Sequence, residues 1–271
     1  MSEADAIRRA GERPATTSSL AADLTRLGIR PGMTLVVHSS LSSLGWVCGG
    51  PVTVIDALEQ VLGPEGTLVV PTHTAHLSDP AEWLAPPVPG SWHDIIRTEM
   101  PAFDAAITPT RGMGAIPECF RPQPGVFRSN HPHDSFAARG PLAEHITSAH
   151  QLDFGLGESS PLARVYEQDG YVLLLGVGHA RNTSLHLAEY RAEYPGKKEQ
   201  RCGAPLTRNG NRQWTWFRDI NIDSSDFEDI GTAFAQTGSI VSGKVARSNA
   251  QLMSQRILVD FAVGWIETNR S

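Results

Sequence analysis

Cysteine is scarce in this chain of 271 residues, which holds three, at Cys48, Cys119 and Cys202. Three widely spaced cysteines do not make a disulfide scaffold or a zinc knuckle, so we expect reduced thiols in a cytoplasmic protein. Basic residues are also few, since 23 Lys and Arg stand against 29 Asp and Glu, for a net charge of −6. An acidic balance without basic runs excludes a dedicated nucleic-acid binder and leaves a cationic substrate possible.

Long apolar runs are absent as well. The longest, around 171–177, has about seven residues, whereas a membrane span needs about 20. The polar N-terminal segment has no apolar core of a signal peptide, so we expect no membrane partner and interpret residues 1–15 as a flexible leader. The rest, 16–271, has an apolar content typical of a globular protein and is predicted to form a single domain.

Helix-like and strand-like segments alternate in the first third of the chain. A capped helix is predicted over 16–29, followed by a buried strand in TLVVHSS, a helix from Pro51 and a second strand in TLVVPTHT. This alternation indicates an α/β sheet with parallel neighbours. The proline-rich stretch 77–130 is predicted to be a long irregular insertion with a helix near 113–120.

The second half of the chain continues the α/β pattern. Short helices are predicted over 141–149 and 162–168, a buried strand in YVLLLGVG and a helix in TSLHLAEYRAEY. Asn209-Gly210 predicts a hairpin turn within 204–220. Closing helices are predicted over 225–236 and 248–268.

The segment GVGHARNTSLHLAEY carries the clearest chemical signal. A buried strand ends in a glycine-containing loop, Asn182 is a candidate N-cap, and His186 lies near the start of the helix with Glu189 one turn on. A helix N-terminus disfavours a positively charged imidazole, which suits a general base. On spacing alone, a histidine that only packs and a glutamate that only solubilises the helix remain an alternative.

Three other segments are candidates on weaker signals. The run HSSLSSLG, followed by Gly49, Gly50 and a helix, is a candidate anion or pyrophosphate cradle, or else an ordinary loop. A capped loop explains the polar segment 128–135 equally well, and a solvated loop and helix start is the favoured interpretation of the acidic segment 219–229. Neither a P-loop nor a G-x-G-x-x-G pattern occurs, so ATP or dinucleotide binding is not indicated.

Metal and cysteine chemistry have little support. The pairs His73/His76, His131/His133 and His186/Glu189 match no standard zinc spacing. The three cysteines show no nucleophile motif. We therefore expect neither a metal nor an acyl-cysteine intermediate.

Six segments in order resemble the aminoglycoside 3-N-acetyltransferases over about residues 17–268. They are LVVHSSLSSLGWVCGG, TLVVPTHT, TPTRGMG, RSNHPHDSFAARG, GESSPLARVYEQDGYVLLLGVGHARNTSLHLAEY and the acidic segment near Asp219. The resemblance implies an α/β fold of the antibiotic N-acetyltransferase type, with a mixed central sheet flanked by helices. That fold is distinct from the GCN5-related fold.

The resemblance also implies the reaction and its residues. Acetyl-CoA is the expected donor, and the 3-amino group of a 2-deoxystreptamine aminoglycoside is the expected acceptor, with antibiotic resistance as the outcome. His186 is the expected catalytic base, with Glu189 beside it. The expected cofactor-binding residues are His38, Ser39, Ser40, Leu41, Ser42, Ser43, Arg128, Ser129 and His131. The expected substrate-binding residues are Glu158, Asp219, Asp223, His179 and Asn182.

Two alternatives remain open at this stage. The same fold could acetylate a different amine, or the chain could bind coenzyme A without catalysis, as a scaffold. Release of CoA across a panel of amines separates these cases. We expect a monomer or a homodimer.

Overall fold

A computed structural model describes residues 3–10 and 13–270. The β-strands in these residues are β1 Thr34–Ser39, β2 Thr67–Pro71, β3 Phe127–Arg128, β4 Phe136–Arg139, β5 Tyr171–Leu175, β6 Glu199–Arg208, β7 Asn211–Ile220, β8 Ile240–Val245 and β9 Ser248–Ser254. The α-helices there are α1 Glu3–Ala10, α2 Thr17–Leu27, α3 Pro51–Leu62, α4 His93–Glu99, α5 Ala115–Phe120, α6 Ala143–Thr147, α7 Pro161–Glu167, α8 Ser184–Arg191, α9 Phe227–Ala235 and α10 Gln255–Asn269.

The central sheet has the order β3-β4-β2-β1-β5-β9-β8 in the part of the chain that the structure describes. β1 pairs in parallel with β2 on one side and with β5 on the other. The flanking pairs β2–β4, β3–β4, β5–β9 and β8–β9 are antiparallel. The expected mixed sheet is therefore confirmed. Its three parallel strands end at one edge, where α/β proteins commonly bind ligands.

Helices cover both faces of the sheet because its strands bury alternate residues on opposite sides. Leu35 and Val37 of β1 join a core packed against α2, α3 and α5. Val36 faces the other way, into a core packed against α6 to α10. All three residues are fully buried, so the continuous apolar run of β1 is that of a strand covered on both faces.

Local sequence signals set several boundaries where they were predicted. Thr16 caps α2 through a capping box with Ser19, and Gly28 ends that helix at a φ of 109°. Asn209 and Gly210, both with positive φ, form the turn of the β6–β7 hairpin. The hairpin begins at Glu199, earlier than predicted, and is a separate two-stranded sheet.

The prediction of a helix over 248–268 is wrong in its first part. Residues 248–254 form β9, and the helix begins at Gln255, capped by the Ser254 hydroxyl. β9 pairs along the whole of β5 and covers an edge that would otherwise be unpaired. β8 and the short helix α4 were not predicted.

The expected flexible leader, residues 1–15, is described in part. Residues 3–10 form α1, and Ala15 is buried and bridges to Val47. Residues 1, 2, 11 and 12 lie outside the described residues. The flexibility of this segment stays a prediction.

Candidate active site

The parallel strands bring polar side chains to one edge of the sheet. His38 and Ser39 end β1, His73 follows the end of β2, and the loop 176–183 follows β5. A cavity of about 800 Å³ opens at this edge. Its walls include His38, Ser39, Ser40, Leu41, Ser42, Gly49, Gly50, Gly112, Met113, Gly114, Val177, Arg181 and Thr183.

The loop after β1 presents the N-terminal end of α3 to this cavity. Gly49 and Gly50 line it with φ of 85° and 62°, a region that glycine adopts without strain. α3 begins at Pro51 with no side-chain cap and no acidic residue in its first turn. Open amides at the positive end of a helix dipole attract phosphate groups. This geometry fits the pyrophosphate cradle predicted here.

The serines of this loop have different roles. Ser43 Oγ donates to Ser40 O at 2.6 Å and lies 2.9 Å from Ser248 Oγ, which fixes the loop to β9. Ser43 therefore serves the structure of the loop and lies outside the lining of this cavity. The hydroxyls of Ser40 and Ser42 lie 3.2 Å apart on the cavity wall. Ser39 Oγ is buried without a hydrogen-bond partner among the described residues.

Arg181 is a cation on the same wall that the sequence analysis did not single out. It lies in the loop between β5 and α8, is exposed, and has no ion-pair partner within residues 3–10 and 13–270. A guanidinium without a carboxylate partner is suited to a phosphate, which it can bind at two points. Only the fold shows that this arginine faces the cavity.

Two neutral histidines lie where β1 and β2 end. Burial, reinforced by the neighbouring imidazole of His186, lowers the pKa of His38 to about 3. The same causes lower the pKa of His73 to about 3. Nε2 of each is buried without a partner in the described chain. Such unpaired atoms are rare in proteins, so they are candidates for hydrogen bonds to a ligand.

His186 and Glu189 face each other one turn apart on α8, as their spacing predicts. Nδ1 of His186 donates to Oε2 of Glu189. The imidazole packs against Phe227, with ring centroids 4.8 Å apart. Glu189 is fully buried, whereas the His186 side chain keeps 14% of its surface exposed. A neutral imidazole that donates from Nδ1 accepts at Nε2, as a general base must.

The turn before α8 connects this pair to the cavity. Thr183 lines the cavity and occupies the N-cap position, and its carbonyl accepts from the His186 amide at 3.0 Å. The helix boundary therefore lies one residue later than predicted, although the Asn182 side chain still accepts from an amide of the first turn of α8. Asn182 is buried, and its Oδ1 accepts from the amide of Ser184 at 3.3 Å. Its amide group lies 3.4 Å from Nδ1 of His179, so it shapes the loop from inside.

Arg270 holds Glu189 from the other side, and sequence reasoning missed it. Its Nη1 donates to Oε1 of Glu189, and its Nε and Nη2 bind the two oxygens of Asp226 at 2.7 Å each. Burial lowers the pKa of Arg270, but Asp226 and Glu189 outweigh burial and hold that pKa above its ordinary value. No local pattern could find this contact, because 81 positions separate Arg270 from Glu189.

Arg128, Ser129 and His131 were predicted to bind the cofactor. In the structure, their side chains contact other groups of the protein instead. The Arg128 guanidinium donates to three backbone carbonyls of neighbouring loops. Ser129 Oγ lies 2.9 Å from Nδ1 of His150, and His131 stacks on the same ring at 4.6 Å. None of the three is among the residues that line the 800 Å³ cavity. Their contacts are those of a capped loop, so we do not place them in the cofactor site.

The predicted substrate-binding carboxylates do not form one group. Glu158 is exposed and pairs with Arg191 at 2.7 Å. Asp219 is buried and accepts a hydrogen bond from the Tyr190 hydroxyl. The amide of Asp223 donates to Oε1 of Glu189 at 2.8 Å. Asp219 and Asp223 therefore contact the part of α8 that carries Glu189 and Tyr190, whereas Glu158 contacts only its last residue, Arg191.

Asp134 is a further carboxylate near His186, in the segment that the sequence marked only as polar. Burial raises the pKa of Asp134 to about 6, although the neighbouring His186 opposes this. Burial and the negative charge of Asp134 raise the pKa of Asp219 to about 6. Two carboxylates that repel each other in this way would be stabilised by an ammonium group.

His179 lines a second cavity, of about 840 Å³, on the other side of the loop after β5. Val177 lines both cavities, so the two meet at this loop. Burial lowers the pKa of His179. Glu228, also in this lining, accepts from the amide of Ala180 at 2.9 Å.

The geometry gives little support to metal binding or to a cysteine nucleophile. Within the described ranges, no group of three or more His, Cys, Asp or Glu side chains could hold a metal ion. Burial, with the charges of Asp219 and Asp134, raises the pKa of Cys202 to about 12, so this thiol stays protonated and weakly nucleophilic. Of the helices in residues 3–10 and 13–270, none has the length and apolar character needed to cross a bilayer.

Comparison with known proteins places the chain in one family. The profile described as aminoglycoside 3-N-acetyltransferase matches residues 36–267. The SPbeta prophage-derived aminoglycoside N(3')-acetyltransferase-like protein YokD of Bacillus subtilis is 48% identical over 95% of this chain and 94% of its own length. Aminoglycoside N(3)-acetyltransferase VIII of Streptomyces fradiae is 38% identical over 99% of this chain and 97% of its own.

Solved structures agree with the sequence matches. The crystal structure of YokD superposes with a TM-score of 0.92 at 47% identity, over 95% of each chain. The structure described as AAC-IIIb binary with CoASH has a TM-score of 0.85 at 33% identity, over 96% of this chain and 98% of that one. AAC-VIa bound to sisomicin has a TM-score of 0.85 at 30% identity, over 96% and 100%. The chain belongs to the aminoglycoside 3-N-acetyltransferase family.

Proposed function

We propose that this protein transfers an acetyl group from acetyl-CoA to the 3-amino group of a 2-deoxystreptamine aminoglycoside. The observation that carries the proposal is the buried Glu189 carboxylate bound to His186 Nδ1, one turn from a residue that lines the large cavity. The related structures bound to CoASH and to sisomicin support both substrates. Family membership supports the position of the amine.

His186 is the general base of the proposed reaction. An ammonium cannot attack a thioester, so the 3-amine must react in its neutral form and lose a proton as the C–N bond forms. Nε2 of His186 takes that proton, and Glu189 stabilises the imidazolium that results. The thiolate of CoA leaves and is protonated.

The loop after β1 is the proposed binding site of acetyl-CoA. The open amides at the start of α3 and the Arg181 guanidinium would hold its phosphates. Ser39 Oγ, which is buried without a partner in the described residues, is a donor for the oxyanion that develops on the acetyl carbonyl. The Nε2 atoms of His38 and His73 are further polar groups at this end of the site.

Carboxylates beside α8 are the proposed contacts of the aminoglycoside. Asp219, Asp223 and Asp134 lie near His186 and carry negative charge at pH 7. They would bind the remaining ammonium groups and select against neutral amines. His179 and Asn182 support the loop between the two cavities, so we assign them an indirect role.

Acetylation removes a positive charge from the antibiotic, which weakens its attraction to RNA. The proposed biological outcome is aminoglycoside resistance in the cytoplasm, where acetyl-CoA is available.

A CoA-release assay tests the proposal. The protein is offered acetyl-CoA with several 2-deoxystreptamine aminoglycosides and with simple diamines as controls, and NMR maps the acetylated nitrogen. We expect release with the aminoglycosides and acetylation at the 3-amino group. Transfer to the diamines alone, or to a different nitrogen, would contradict the proposal.

A further inference from the structure

Arg270 joins three parts of the site. Its guanidinium binds Glu189 on α8, both carboxylate oxygens of Asp226 before α9, and the carbonyl of Asp223 at 2.7 Å. The side chain is 11% exposed and lies over the ring of Tyr194 at 5.3 Å. All its nitrogens are therefore engaged, and its position is set by several elements at once.

Glu189 needs a partner of this kind because it is wholly buried. Its Oε2 accepts from His186, and its Oε1 accepts from the Asp223 amide and from Arg270. Of these groups, Arg270 alone carries a permanent positive charge. A buried carboxylate without such a partner is strongly disfavoured as an anion. An uncharged Glu189 could not stabilise an imidazolium on His186.

We propose that Arg270 is a positioning residue for the transfer reaction. It keeps Glu189 ionised and aimed at His186 Nδ1, and it fixes the loop 221–226 against α8. This rests on the proposed role of His186 as general base. Arg270 lines neither of the two large cavities, so it acts through Glu189 and not on a substrate.

If Arg270 acts through Glu189, its loss affects kcat and does not affect the binding of acetyl-CoA. The residues proposed to hold that substrate, Ser40, Gly50 and Arg181, lie on the cavity wall and make no contact with Arg270. Loss of Arg270 should therefore reduce proton transfer and leave the KM for acetyl-CoA nearly unchanged. A merely structural role would lower the melting temperature and the amount of folded protein without this split.

Steady-state kinetics of Arg270→Gln and Arg270→Lys test the proposal. Arg256→Gln is the matched control, because Arg256 lies on α10, the helix that Arg270 directly follows, and forms an ion pair with Asp169 at 2.6 Å. We expect Arg270→Gln to lower kcat about 10- to 100-fold, in line with the loss of an orienting partner. Arg270→Lys should restore part of the rate, and Arg256→Gln should retain it.

NMR of the imidazole gives a readout that does not depend on activity. The Nδ1–H of His186, identified by its loss in His186→Ala, should move in Arg270→Gln and stay in place in Arg256→Gln. If the wild type transfers to no amine while this signal still responds, the proposed function fails and the positioning of His186 by Arg270 stands.

Three results would overturn the inference. One is a wild-type kcat and an unmoved Nδ1–H signal in Arg270→Gln. Another is an equal loss of kcat in Arg256→Gln. Should Arg270→Gln fail to fold, Asp226→Asn removes one carboxylate from the guanidinium and is expected to lower kcat in the same direction, so an unchanged kcat in that variant refutes the role.

Discussion

The two nitrogens of His186 have different partners, and this difference defines its proposed chemistry. Nδ1 is committed to Glu189. A neutral ring with its proton on Nδ1 has a free lone pair on Nε2. The imidazole is thus prepared for proton acceptance before any substrate binds.

Replacing His186 with Ala should lower kcat about 10²- to 10⁴-fold, which is the usual contribution of a positioned general base. The dissociation constant of acetyl-CoA should change little, because its proposed site lies on the loop after β1. Stopped assays of CoA release and calorimetry measure the two quantities. His145→Ala, at an exposed position of α6, is the control that should keep full activity. Near-wild-type turnover in His186→Ala would remove the residue from the mechanism.

The raised pKa values of Asp134 and Asp219 predict that aminoglycoside binding depends on pH. Their pKa values are raised to about 6, so they lose negative charge as the pH falls through that value. The ammonium groups of the antibiotic stay protonated, so its dissociation constant should rise as the pH falls from 7.5 to 5. Calorimetry at several pH values measures this change.

Asp134→Asn is the matched variant for that pH series. It should weaken aminoglycoside binding about tenfold at pH 7.5, the effect of one charge-assisted contact. It should also flatten the pH dependence. Asp94→Asn removes a carboxylate whose side chain is 96% exposed and should have no effect. Equal pH profiles for Asp134→Asn and the wild type would place Asp134 away from the antibiotic.

At the scale of elements, the ends of three parallel strands create the cavity that we propose for acetyl-CoA. Each strand makes its own contribution to the lining: an open helix N-terminus after β1, Pro71 at the end of β2 and Arg181 after β5. These groups are distant in the chain and adjacent in space because β1 pairs in parallel with both neighbours.

Arg181→Gln should therefore raise the KM for acetyl-CoA about tenfold or more, since a charge-assisted phosphate contact is worth about 1.5–3 kcal/mol. The KM for the aminoglycoside should stay the same. Added salt should weaken acetyl-CoA binding less in the variant than in the wild type. Arg208→Gln, on the exposed end of the β6–β7 hairpin, controls for net charge. Identical KM values and salt slopes in Arg181→Gln and the wild type would refute the assignment.

At the scale of the whole molecule, buried histidines link stability to pH. Burial is the largest cause of a lowered pKa at seven histidines, and the pKa falls furthest at five of them, namely His38, His73, His131, His133 and His150. Unfolding restores their ordinary value of about 6.5. Below that pH the unfolded chain binds more protons, so the free energy of unfolding falls as the pH falls.

The raised pKa values of Asp134 and Asp219 act in the opposite direction, because the folded chain protonates them first between pH 6 and 4. These five histidines against two aspartates leave about three extra protons on the unfolded chain near pH 5. The free energy of unfolding should then fall by about 4 kcal/mol per pH unit. Urea unfolding at pH 7, 6 and 5 measures this slope. His133→Asn should make the slope shallower and exposed His145→Asn should not, while a flat slope in the wild type would contradict the prediction.

Local signals were sufficient for the elements whose boundaries depend on neighbouring residues. The Thr16 cap, the Gly28 stop, the Asn209-Gly210 turn and the apolar run of β1 all lie within a few positions of the feature they specify. Residues 248–254 were predicted as helix because their strand character depends on pairing with β5. Such a strand receives its partners from the fold, which a local pattern does not contain.

The sequence by itself determined the family, the α/β architecture and the pair His186 and Glu189, because these follow from ordered motifs and a spacing of one helical turn. Tertiary structure alone decided which polar residues meet. It placed Arg128, Ser129 and His131 in interior contacts, and it brought Arg181 to the cavity and Arg270 to Glu189. The physical reason is range: a helix or a turn is specified over a few residues, whereas a buried charge finds its partner wherever the packed elements bring one within hydrogen-bond distance.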